Sequence, residues 1–329
     1  MADNHGASNG TNNNPIDILV SEVGPRDGLQ SITPIMPMAA RKAWISAEAA
    51  AGVREIEVGS FVPANILPQL EGTAEVVAHA RSIPGLTVAA LVPNARGARD
   101  AIAAGAHKIT IPLSVSETHS LRNLRRSHEQ VLAEVTEIAE AIRVLPVDQR
   151  PHFEGSLSTA FGCTLEGPIP DAQILRLAEA LMAAGCDEVG IADTTGYADP
   201  IAVKHLIRIL RDAVGEKAVQ GIHLHNTRGL GLANVLAALD AGLTTVDSSL
   251  GGLGGCPFAP GASGNIVTED LVFMLEAMGL RTGIDLTKLF AVREILTQHL
   301  PDEPLYGFTP DAGLPLGFVA AAEKRKEAA

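Results

Sequence analysis

Short apolar runs of β character alternate with longer Ala- and Leu-rich stretches from one end of the chain to the other, and that alternation leaves few folds open. The strand candidates are Ile18–Val23, Glu55–Val58, Thr87–Leu91, Lys108–Ile111, His152–Ser158, Glu188–Ile191, Val219–Leu224 and Thr245–Ser248, each followed by a helical stretch. Such a series forces a parallel sheet covered by helices. Ala51-Gly52, Ala104-Gly105, Ala184-Gly185 and Ala241-Gly242 each fall just before a short strand. Either they are left-handed caps that end repeated helices, or they are the ordinary yield of an Ala-rich chain. Eight β/α pairs ending near Gly279 fill the ~250 residues typical of a TIM barrel. A doubly wound dinucleotide fold would show Gly-x-Gly-x-x-Gly after an early strand, and none follows strand one or two. The expected architecture is therefore α/β: a (β/α)8 TIM barrel with a short C-terminal helical extension. The boundaries are a disordered tail over 1–15, the barrel over 16–285, and the extension and tail over 286–329. Leu286–Leu300 reads as an extra helix, and Glu323 to Glu327 as a solvated, frayed end.

Composition narrows the class further. With 46% hydrophobic but only 3% aromatic residues, the core must come from Ala, Leu, Ile and Val, which suits buried parallel strands and excludes disorder as the main state. A formal charge of -13 argues against nucleic acid as a partner, so an anionic substrate needs a local basic pocket. Cys163, Cys186 and Cys256 are odd in number and without a Cys-x-x-Cys pair, which points away from disulfides and zinc knuckles and toward a reducing, cytoplasmic setting. The first fifteen residues hold five Asn and no Lys or Arg, unlike a signal or transit peptide. No apolar run reaches the ~18 residues of a membrane span, so no membrane partner is expected.

In a barrel, chemistry collects where strands end. Strand one runs into Glu22-Val23-Gly24-Pro25-Arg26-Asp27-Gly28-Leu29-Gln30, which sets a cation and a carboxylate side by side. Strand seven ends in His223-Leu224-His225, whose two imidazoles share a face. They can hold one metal ion, or one His can pack in the core while the other is wet; Asp27 at the same rim favours the metal. Two His with oxygen ligands suit Mn, Co, Fe or Zn, and an octahedral Mg site is also open. After strand eight, Leu250 to Asn265 is rich in Gly but lacks the Gly-Lys-Ser/Thr of a P-loop, so it reads as a lid. Cys256 within it is poised for proton transfer or nucleophilic attack, whereas Cys163 and Cys186 read as small buried hydrophobes.

Val23 to Gln30, Glu57-x-x-Ser60-Phe61, Asp193-Thr194-Thr195-Gly196, the His-x-His, Val246-Asp247-Ser248-Ser249 through Gly254-Gly255-Cys256-Pro257 to Gly264-Asn265, and Thr268-Glu269-Asp270-Leu271 together resemble the 3-hydroxy-3-methylglutaryl-CoA lyase family over about residues 16 to 285. The resemblance implies a metal-dependent lyase on a TIM barrel, using a divalent cation (Mg or Mn) and an acyl-CoA thioester, as a homodimer or higher homo-oligomer. It implies Asp27, His223, His225 and Asn265 as metal ligands, Arg26 beside the thioester carbonyl, Cys256 as the lid residue active in proton transfer, and Glu57, Asp193 and Glu269 as supporting acids. Gln30, Glu154 and Ser156 would join Arg26 at the substrate. The chemistry is coherent: a metal lowers the hydroxyl pKa, Arg26 meets the enolate oxygen, and an acid such as Cys256 protonates the enolate.

The chain departs from the family in places. Glu154 and Ser156 stand where the family carries Arg and Tyr, Gly190 where it carries Ser, Asn226 where it carries Asp, and Thr33 near a CoA-associated Lys. Glu154 disfavours a substrate bearing its own carboxylate unless Arg228 or another cation pairs it. The readings are hydroxymethylglutaryl-CoA cleavage to acetyl-CoA and acetoacetate, cleavage of citramalyl-CoA or another tertiary 3-hydroxyacyl-CoA, an isopropylmalate-type synthase, or a non-catalytic barrel. The intact set around Asp27 argues against the last. Arg122, Arg125 and Arg126 either meet CoA phosphates or form a solvated helix face.

Overall fold

The computed structural model describes residues 15–254 and 264–327. Eight strands, β1 Leu19–Glu22, β2 Glu55–Ser60, β3 Thr87–Leu91, β4 Lys108–Ser114, β5 His152–Ser158, β6 Glu188–Asp193, β7 Gly221–Leu224 and β8 Thr245–Ser248, pair in parallel and in chain order into a closed barrel, β8 returning to β1. The helices are α1 Met38–Ala51, α2 Thr73–Arg81, α3 Ala95–Ala104, α4 Glu117–Asn123, α5 His128–Arg143, α6 Asp171–Ala184, α7 Pro200–Val214, α8 Gly231–Asp240, α9 Thr268–Ala277, α10 Leu286–His299, α11 Phe308–Ala312 and α12 Ala321–Glu327. The fold is thus the expected TIM barrel. All four Ala-Gly glycines adopt left-handed backbone, with φ from 86° to 112°, so the echo does mark helix ends.

The strands use their two faces unequally. Val20, Ile56, Val58, Val88, Ile109, Ile111, Phe153, Leu157, Val189, Ile222 and Val246 are buried outside the barrel wall, against the helices. Alternate positions face inward, and there the residues are polar or small: Ser21, Glu55, Glu57, Ala89, Lys108, Thr110, Glu154, Ser156, His223 and Asp247 line one cavity. The layers of branched apolar side chains that usually fill such a barrel are replaced by charge and space.

Two expectations need correction. Strand four was expected to stop at Ile111, before a proline, but β4 continues to Ser114, with Pro112 in register with Ser156. The terminal Glu323 to Glu327 run belongs to α12 instead of fraying, although Glu323, Lys324 and Arg325 are solvent-exposed as expected. Lys324 Nζ donates to the Ala277 carbonyl at 3.1 Å and so satisfies the C-terminal end of α9, while Arg325 donates to Asp17 at 3.0 Å. The expected tail lies, but for Pro15, outside the described residues. Among the described residues no helix is long and apolar enough to cross a membrane.

Candidate active site and metal centre

At the end of β1 the chain makes one wide turn, Gly24–Gly28, closed by Asp27 N–H on the Val23 carbonyl at 2.7 Å. The turn is pressed so hard on its surroundings that a Cβ at Gly24 would lie 2.5 Å from Glu22 Oε1 and 2.8 Å from Trp44 and Ser249. Arg26 and Asp27 consequently project into the barrel mouth. Arg26 donates from Nε to Glu57 Oε2 at 2.5 Å and from Nη1 to Asp27 Oδ1 at 2.6 Å, and Gln30 donates to that same Asp27 oxygen at 3.0 Å.

The other Asp27 oxygen faces the histidines. Oδ2 is 3.9 Å from His223 Nε2 and 4.0 Å from His225 Nε2, and the two Nε2 atoms are 3.1 Å apart. All three donor atoms lie within 4.8 Å of one another. Asn265 arrives through a bridge to His225, its Nδ2 donating to Asp27 Oδ2 at 2.7 Å. Burial opposes charge on Asp27, but Arg26 and the two histidines hold its carboxyl well below the ordinary range. Burial, with His223 beside it, pushes His225 down to about 4, so its ring is neutral at pH 7. His223 is raised despite burial, because Nδ1 is bonded to Asp247 Oδ2 at 3.1 Å. Asn265 Oδ1 is buried and without a hydrogen-bond partner. An anionic oxygen, two imidazole nitrogens and an orphaned amide oxygen form a donor set that suits a divalent cation.

Below this cluster the cavity, about 440 Å³, runs down into the barrel past Ser156 to Glu154, Glu55 and Lys108. Glu154 does not lack a cation: Lys108 Nζ stands 2.6 Å from its Oε2. Arg228 is committed elsewhere, donating to the Gly196 carbonyl at 2.6 Å and lying over the Tyr197 ring. Burial raises the Glu154 pKa while Lys108 works against it.

Other candidates sit apart from the cavity. Asp193 accepts from the N–H groups of Tyr197 at 2.8 Å and Ala198 at 3.1 Å, which pins the turn after β6; burial pushes it up to about 6. Glu269 is fully buried, accepting from Gly251 N–H at 3.0 Å and pairing with Arg293, and so braces the start of the Gly-rich loop. Cys256 and most of the expected lid, 255–263, lie outside the described residues. Cys163 and Cys186 are buried, and burial pushes the Cys186 thiol up to about 12. Arg126 donates to the Pro93 carbonyl at 2.7 Å, which gives it a local structural use. Sequence reading missed the roles of Asp247 and Lys108. For Asp247 a signal existed: it lies on β8 beside the His-x-His strand, where the orienting partner of a ligating histidine belongs.

A closed (β/α)8 barrel whose mouth gathers Asp27, His223, His225 and Asn265 beside an arginine defines a TIM-barrel enzyme with a candidate metal site. The HMGL-like family profile matches residues 17–296, and the chain belongs to that family. It is 37% identical over 298 residues to hydroxymethylglutaryl-CoA lyase of Bacillus subtilis, covering 89% of this chain and 98% of the relative. It is 38% identical to the cytoplasmic 3-hydroxy-3-methylglutaryl-CoA lyase of Mus musculus, covering 86% and 81%. Among solved structures, an HMG-CoA lyase from A. baumannii in complex with coenzyme A and 3-methylmalate superposes with a TM-score of 0.85 at 38% identity, covering 92% of this chain and 97% of the other.

Proposed function

We propose that this chain is a divalent-metal-dependent carbon–carbon lyase that cleaves 3-hydroxy-3-methylglutaryl-CoA to acetyl-CoA and acetoacetate. The observation that carries this reading is the convergence of Asp27, His223 and His225 donor atoms within 4.8 Å, directly beside Arg26. Asp27, His223, His225 and Asn265 would hold the cation, with Mg or Mn proposed. Bound there, it lowers the pKa of the substrate hydroxyl and neutralises negative charge. In the reaction the hydroxyl loses its proton, the C2–C3 bond breaks, its electron pair passes into the thioester enolate, and a proton returns to C2.

Arg26 supplies the cation where enolate charge develops. Its guanidinium is fixed from two sides by Glu57 and Asp27, so it needs no reorganisation during the step. Burial lifts Glu57 to about 7, although Arg26 works against the shift, so this carboxyl can hold or release a proton near neutrality. Cys256 is the proposed acid that completes acetyl-CoA, and Gln30 and Ser156 the proposed polar contacts to substrate. Asp193 and Glu269 act as positioning residues for the loops after β6 and β8.

The test is acetyl-CoA release from hydroxymethylglutaryl-CoA by purified protein loaded with Mg or Mn, against the same protein in chelator. Metal-dependent turnover is expected. Absence of acetyl-CoA from any tertiary 3-hydroxyacyl-CoA in metal-loaded protein would overturn the reading.

A further inference from the structure

The cavity does not end at the metal ligands. It continues between small side chains, Ser21, Ala89, Thr110 and Ser156, to an ion pair on its wall, Lys108 with Glu154. The Lys108 side chain is 14% exposed and that exposure is to the cavity. Glu154 Oε2 lies at hydrogen-bonding distance, 2.6 Å, whereas Glu55 Oε1 at 3.7 Å contributes charge without a hydrogen bond. An ammonium has three N–H donors, so Lys108 retains donors for a ligand. Its charge, however, is already more than balanced by two carboxylates. The pair is also built into the fold: a Cβ at position 190 would lie 2.2 Å from Glu154 Oε1, so Gly190 makes room for the glutamate.

We propose that Lys108 is a specificity residue for this site, donating to an uncharged oxygen on the C3 branch of a tertiary 3-hydroxyacyl-CoA, while Glu154 and Glu55 exclude a carboxylate from that branch. The proposal rests on the lyase reading above and names the substrate class of the same cavity. A third carboxylate beside Glu154 and Glu55 meets repulsion that one ammonium cannot offset. A plain methyl leaves the Lys108 donors unmet once substrate closes off water, and a site with donors to satisfy discriminates against the analogue that lacks the acceptor. A hydroxyl on the branch meets both conditions.

The experiment compares kcat/KM for three thioesters that differ only at C3: methyl in hydroxymethylglutaryl-CoA, hydroxymethyl in its hydroxylated analogue, and carboxylate in citryl-CoA. For the unmodified protein the hydroxymethyl compound should lead the methyl one by at least about tenfold, and the carboxylate should trail it by at least about a hundredfold. Glu154→Gln should raise the carboxylate relative to methyl by at least about tenfold, since one of two repelling charges is gone. Lys108→Met should reduce the hydroxymethyl-to-methyl ratio to about one; the double variant Lys108→Met with Glu154→Gln removes the pair together and gives the same readout if the single variant does not fold. Preference for methyl over hydroxymethyl, or ratios unmoved in these variants, overturns the proposal while hydroxymethylglutaryl-CoA cleavage leaves the lyase reading standing. If none of the three thioesters releases acetyl-CoA, both fall.

Discussion

Asp247 Oδ2 accepts a hydrogen bond from Nδ1 of His223 at 3.1 Å, and this leaves the ring's other nitrogen facing Asp27. The two residues are in register across β7 and β8, so the contact is set by the sheet rather than by a loop. An outer partner of this kind fixes the tautomer and the ring orientation of a ligating histidine. Asp247→Asn keeps the shape but loses the charge that favours the Nδ1–H form. Divalent-cation affinity, measured by equilibrium dialysis, should fall by about 10- to 100-fold. An unchanged dissociation constant would remove Asp247 from the metal centre.

His225 makes a sharper case, because its ring is held neutral by burial and can accept a cation without first losing a proton. His225→Ala should abolish most bound metal, and with it the thermal stabilisation that metal confers. At a hundredfold excess over Kd that stabilisation is about 2.7 kcal/mol. Equal metal content, or an equal metal-induced shift in Tm, in variant and unmodified protein would contradict the ligand assignment.

Arg26 separates chemistry from folding. Arg26→Gln removes the cation proposed to face the developing enolate and should lower kcat by at least about a hundredfold. The fold should lose little, since Glu57, already lifted to about 7, takes up a proton once Arg26 is gone. A collapse of Tm with activity falling only in proportion to folded protein would make Arg26 structural.

The barrel was legible because its outward strand faces are continuous in Val, Ile and Leu, and because helix ends carry Ala-Gly. The candidate metal-binding cluster was legible because Asp27 and His-x-His fall at strand ends. The barrel's interior was not. Glu55, Lys108 and Glu154 occupy inward positions where branched apolar residues are the norm, and nothing local shows that Lys108 and Glu154 meet across β4 and β5. A charged residue at a strand position reads as a solvated edge until closure of the sheet places it inside. Glu154 therefore read as a reversed charge that Arg228 or another cation would have to pair, and the lysine that does so lies one strand away.

A final prediction concerns pH and the carboxylates behind the active-site turn. Glu22 is fully buried; its Oε1 accepts from Gly24 N–H at 2.8 Å and Leu250 N–H at 2.9 Å, and its Oε2 meets Thr268 Oγ1 at 2.6 Å. It thereby ties the Arg26–Asp27 turn to the end of β8 and the start of α9. Burial pushes its pKa from 4.5 up to about 8, and the neighbouring Glu48 is raised in the same direction by burial and by Glu22. A carboxyl raised on folding contributes stability that is fully present below its unfolded pKa and is lost as pH rises through the folded value. The loss from Glu22 therefore runs from about pH 4.5 to about pH 8 and amounts to a few kcal/mol in order of magnitude. Glu22→Gln mimics the protonated acid: its carbonyl keeps both N–H donors, and its amide replaces the acid proton toward Thr268. Tm measured from pH 5 to pH 8.5 should therefore decline less in Glu22→Gln than in the unmodified protein, with near-equal values at pH 5 and the variant ahead at pH 8.5. Parallel curves would show that Glu22 is ionised throughout, its charge held by the two main-chain donors and Thr268.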